Sequence, residues 1–110
     1  MLAVEQASAE PSGDGWLVRW RIRNTGLAPL IIHSVWLPHG RFRSQEWTLD
    51  PLLVVPAGGE ATLDSVVAWD GGAVENAFLI LRTDAGRVFV RLRVEIGAGP
   101  RAAAEGITYG

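Results

Sequence analysis

His33 and His39 are the only imidazoles in the chain, and cysteine is absent. A metal centre draws three or four ligands from Cys, His, Asp and Glu, and no acidic cluster stands at ligand spacing around either histidine. Ser34 follows His33 directly. On a strand, adjacent side chains point to opposite faces, so these two cannot form a local nucleophile–base couple. Ser44 and Ser65 lie in no Gly-x-Ser-x-Gly elbow. Asp70 and Glu75 could act as a glycosidase pair only if loops assembled them, and their surroundings match those of solvated acids. Gly58-Gly59 and Gly71-Gly72 lead into strand-like sequence rather than a helix, which rules against a phosphate loop. The expectation is a non-enzymatic chain with no catalytic residue, no metal and no cofactor.

What remains is recognition by aromatic and arginine side chains. Of the five tryptophans, Trp16, Trp20, Trp36 and Trp69 lie on strand patterns, and about three of them are expected to fill the core, as large aromatics do in β-sandwiches. Trp47 closes a segment of mixed character, His39 to Trp47, that gathers His39, Arg41, Phe42, Arg43 and Trp47. These residue types are enriched where interfaces concentrate their binding energy. This segment is the expected partner-facing surface, and the expected function is a non-catalytic binding or assembly module that docks another protein. The alternative is a small-ligand or carbohydrate-binding module in which exposed Trp47 and Phe42 form a stacking platform.

Those residues must be carried by strands. Trp16, Val18, Trp20 and Ile22 alternate with Leu17, Arg19, Arg21 and Arg23, a period of two that marks a strand with one buried face. Val88, Val90, Leu92, Val94 and Ile96 alternate in the same way with Arg87, Phe89, Arg91, Arg93 and Glu95. Leu30 to Leu37 is apolar on both faces, as in a central strand. Glu60 to Trp69 directs Leu63, Ser65, Val67 and Trp69 to one side. Ala77 to Thr83 is a short buried-type run, and Leu2 to Ala9 supplies an N-terminal strand. Phe42 to Leu49 and Leu52 to Val55 read as edge pieces meeting at Asp50-Pro51, because proline is confined to edges and strand starts. Turn residues punctuate the chain at Pro11 to Gly15, Asn24-Thr25-Gly26, Pro38-His39-Gly40, Pro56 to Gly59, Asp70-Gly71-Gly72 and Asp84-Ala85-Gly86. The reading is an all-β, immunoglobulin-like two-sheet antiparallel sandwich of seven to eight strands over residues 1–96. Residues 97–110, with their glycines, a proline and an alanine run, are expected to form a flexible C-terminal tail.

Composition bounds the partners. The chain has 110 residues, a formal net charge of −2 and ten arginines without a single lysine, so it lacks the cationic excess that non-specific nucleic-acid binding needs. The arginine rows Arg19/Arg21/Arg23 and Arg87/Arg91/Arg93 are expected to be solvated or paired with acids from facing strands. No apolar run reaches the length of a membrane span and Met1 to Glu10 has no signal-peptide pattern. With Met1 as the natural start, the expected location is the cytoplasm.

The strand ending at Asn24-Thr25-Gly26, then Pro29 and an apolar strand, and later Val55-Pro56-Ala57-Gly58-Gly59-Glu60 entering another strand, resemble bacterial immunoglobulin-like modules of the CARDB kind. The WHy type is similar. The resemblance covers about residues 16–95 and implies a sandwich that serves in binding, adhesion or spacing.

Overall fold

The computed structural model describes residues 1–110. Eight strands follow one another without a helix: β1 (Leu2–Ser12), β2 (Gly15–Asn24), β3 (Leu30–His39), β4 (Phe42–Val55), β5 (Glu60–Trp69), β6 (Val74–Thr83), β7 (Gly86–Ile96) and β8 (Pro100–Tyr109). They form one antiparallel sheet in the order β1-β2-β5-β4-β3-β6-β7-β8, curled until its first and last strands meet. The shape is that of a nearly closed barrel, which is how an all-β chain of this length leaves few edges open.

Alternation sets the inner face. Val18, Trp20 and Ile22 on β2 lie opposite Ser65, Leu63 and Ala61 on β5 in an unbroken register. Val88, Val90, Leu92 and Val94 are buried from the other wall, while Ile96, expected to continue that row, is exposed beyond the end of the core. Trp20 is the one tryptophan wholly inside. Trp16 and Trp69 are half-buried and meet edge-on at 6.2 Å, and Trp36 points outward beside Ile80 and Phe89 on neighbouring strands. Trp20 thus belongs to the core itself, and Trp16 and Trp69 pack against its margin.

The arginine rows lie outside; the β2 row and Arg93 find acids, whereas Arg87 and Arg91 form no ion pair. Arg19 holds Asp64 through two hydrogen bonds of 2.9 and 3.1 Å, Arg21 holds Glu5 at 2.6 Å, and Arg93 lies 3.1 Å from Glu95 and 3.6 Å from Glu105. Hydrogen bonding to those carboxylates, and their charge, raise the pKa of Arg19 and Arg21 further.

Two expectations need correction. Phe42 to Leu49 and Leu52 to Val55 belong to a single strand, β4, although residues 49–52 have no partner on β3. More consequentially, residues 97–110 are not a tail. Residues 100–109 form β8, paired with β7 from Val88↔Tyr109 to Ile96↔Pro100. The free edge of β7 supplies the backbone partners, and Ala102 and Ile107 pack on the core. Gly99 makes the entry possible, since a Cβ there would collide with the Trp16 indole.

β1 and β8 close the curl without a backbone ladder. Gln6, at the register shift of β1, donates from Nε2 to the Pro100 carbonyl at 2.8 Å and accepts from the Ala102 N–H through Oε1 at 2.7 Å. Its side-chain amide thereby substitutes for one peptide unit of a missing strand pairing. The Leu2 N–H also donates to the Tyr109 hydroxyl at 3.0 Å.

Candidate partner-docking surface

The β3–β4 hairpin carries the first part of the expected surface. His39 accepts the Arg41 N–H on Nδ1 at 3.1 Å, shaping the tight connection around Gly40. Arg41 turns toward the β5–β6 turn and donates from Nε to Asp70 Oδ2 at 2.6 Å. That hydrogen bond first, and the Gly72 N–H bound to the same carboxylate second, hold the Asp70 pKa below the ordinary aspartate range. Arg43 donates to the Gly40 carbonyl at 3.2 Å. These contacts make the hairpin end a cationic but internally tied corner.

Phe42 does not belong to the surface. It is wholly buried, with its ring 6.5 Å from that of Trp20. The alternation of β4 at its first residue directs it inward, so the paired aromatic platform with Trp47 does not form.

Trp47 lies farther along β4 and is 67% exposed. It shares a face with buried Val35, yet stays open because no strand covers that part of β4 on the other side. β4 pairs with β5 only at Phe42↔Trp69 and Arg43↔Ala68. Beyond Ser44 the two strands diverge around a split until the Pro56–Gly59 turn reunites them. One recess of about 240 Å³ in the split is lined by Trp47, Leu49, Asp50, Leu53, Leu63 and Asp64 among others. A second, of about 340 Å³, is bounded by Arg43, Ser44 and Gln45 on β4 and Val66, Val67 and Ala68 on β5.

The structure therefore brings His39, Arg41 and Arg43 together, sets Trp47 apart at the rim of the split and buries Phe42. The sequence reading missed Asp50, Thr62 and Asp64, which share the split with Trp47. It also missed a cleft of about 220 Å³ at one end of the barrel, lined by Met1, Leu27, Pro29, Arg87 and Tyr109 with other residues. The signal for that cleft was present: Leu27-Ala28-Pro29 is an apolar run inside a turn, and Leu27 is fully exposed. Asn24 fixes this turn by donating to the Ala28 and Val55 carbonyls and accepting from the Gly26 N–H.

Of the residues considered for chemistry, Ser34 donates to Glu46 at 2.8 Å and His33 is half-buried at a β3 register shift. No group of three or more His, Asp or Glu side chains is placed to hold a metal ion. No helix is long and apolar enough to cross a membrane. No protein-family model matches the chain, and no curated protein or solved structure is significantly similar to it.

Proposed function

We propose that the chain is a non-catalytic binding module of immunoglobulin-like build that docks another protein on the β4 side, around Trp47 and the cationic hairpin of His39, Arg41 and Arg43. The strand arrangement supports the build: β1-β2-β5 on one wall and β3-β6-β7 on the other follow the A-B-E and C-F-G order of immunoglobulin sandwiches. The observation that carries the function is the 67% exposure of Trp47 at the rim of an uncovered split. A large indole left in water next to unpaired strand is the kind of anchor that interfaces bury.

The test is the single substitution Trp47→Ser. A partner purified with the wild-type protein should be lost, the melting temperature should hold to within about 2 °C, and the outward control Arg91→Ser should still bind. Undiminished binding by Trp47→Ser overturns the reading.

A carbohydrate-binding reading rests on Trp47, Asp50 and Thr62 sharing one recess, since an indole can stack on a sugar face while polar neighbours bond its hydroxyls. It has only one ring to stand on, Phe42 being buried. Tryptophan emission titrated against a panel of glycans decides it: no glycan-dependent change removes this second reading.

A further inference from the structure

β5 pairs with β2 over eight consecutive residues, Glu60 to Val67, without a register shift. Its opposite edge carries no strand until Ala68. A regular, unpaired edge of that length presents backbone N–H and C=O groups at strand spacing and is a template for one more strand. The facing edge of β4 is a poorer template, because its register with β3 shifts twice.

The side chains say what kind of strand fits. On its outer face β5 sets Glu60, Thr62, Asp64 and Val66, and β2 answers them with Arg23, Arg21, Arg19 and Leu17. From its inner face Leu63, together with Leu53 and Leu49 across the split, calls for apolar residues in alternation. Along the split, β4 from Ser44 to Val55 and β5 from Glu60 to Val67 hold four carboxylates, Glu46, Asp50, Glu60 and Asp64, and no arginine. Asp64 and Glu60 are paired with arginines of β2, Glu46 accepts the Ser34 hydroxyl on one oxygen, and Asp50 has neither an ion pair nor a side-chain hydrogen bond.

We infer that the β4–β5 split accepts an extended polypeptide segment of the partner, about eight residues with arginine or lysine alternating with apolar side chains, added as a strand along Glu60–Val67. Its apolar residues face Leu53 and Leu63, its cations reach Asp50 and Glu46, and Trp47 covers it from the rim. Eight residues in this conformation span roughly 26 Å. The inference rests on the binding-module reading and names the chemistry of what that module takes.

The probe is a capped octapeptide of alternating valine and arginine, added to the ¹⁵N-labelled full chain. Binding should shift the amide signals of residues 60–67 and fall away when arginine is replaced by glutamate or when alternate peptide nitrogens are methylated. Asp50→Asn and Glu46→Gln, both at exposed positions, should each weaken it about two- to five-fold at low salt. Thr62→Pro, which disrupts the edge, is compared with Trp47→Ser, which leaves it intact, so one folded variant remains if the other fails. No binding, binding indifferent to N-methylation, or shifts confined to residues 39–43 would each overturn the strand-addition inference. Loss of the purified partner by Trp47→Ser alongside such a result leaves the module reading standing, so the two failures are separable.

Discussion

The Phe42 ring meets the Trp20 indole nearly at right angles, centroids 6.5 Å apart and planes at 83°, across the inside of the barrel. Two aromatics from distant strands thus lock the β3–β4 hairpin to β2. Phe42→Ala should cost about 3–5 kcal/mol, the range for deleting a buried aromatic, read as a fall in the urea midpoint at unchanged slope. Trp47→Ala, five residues along the same strand, should move stability by no more than about 0.5 kcal/mol. Equal effects would show that the two rings have been assigned to the wrong environments.

Ser65 is buried with its Oγ unpaired by any protein group. A hydroxyl in that position contributes a desolvation cost and no compensating bond. Ser65→Ala should therefore be neutral or stabilising by up to about 1 kcal/mol. Calorimetric melting of the variant gives the sign, and a clear loss of stability would reveal a partner for that oxygen.

Acid should loosen the hairpin corner. Asp70 has a folded pKa below its unfolded one because Arg41 and the Gly72 N–H bond its charged form. A depressed carboxylate contributes stability above its unfolded pKa and loses it as pH falls through the folded value. The contribution is small at an exposed, screened site. Carboxyl NMR should show Asp70 titrating below the ordinary aspartate range in the wild type, and shifted upward in Arg41→Ala.

Gln6→Ala should open the β1–β8 seam. It removes both hydrogen bonds to β8 and leaves the Ala102 N–H and Pro100 carbonyl without their partner, at a cost of about 1–3 kcal/mol. Hydrogen exchange at Ala102 should accelerate well before exchange in β2 or β7 does. Unchanged protection at Ala102 would mean that other contacts hold the seam.

Removing residues 97–110 should be ruinous rather than silent. It would strip β7 of its outer ladder and uncover Val90, Leu92 and Val94. The expected outcome is an insoluble or non-cooperatively melting protein.

Strands with large side chains on one face were legible in the sequence. β2, β5 and β7 declare themselves because Trp20, Leu63, Leu92 and their neighbours alternate with charges, and the arginines on β2 found acids on β1 and β5 as expected. β8 was hidden for the same physical reason: Ala102, Ala103 and Ala104 are too alike for alternation to show, so only the open edge of β7 reveals their role. Phe42 and Trp47 show the limit for the site. Residue type suggested a shared surface, but Phe42 starts β4 inside the core, whereas Trp47, beyond a register shift, stays in water where β4 and β5 have parted. Nor could composition disclose the split, which depends on where two consecutive strands cease to pair.

The hydrogen bond from the Leu2 N–H to the Tyr109 hydroxyl, with Met1 and Tyr109 lining one cleft, means that the polypeptide enters and leaves at the same corner. Chains with adjacent ends tolerate circular permutation and insertion into a host loop. A short glycine bridge between residues 110 and 1, with new ends opened at exposed Gly71, should fold to the same barrel. Spliced into a longer chain, the domain would hang from it as a pendant and add almost nothing to its reach.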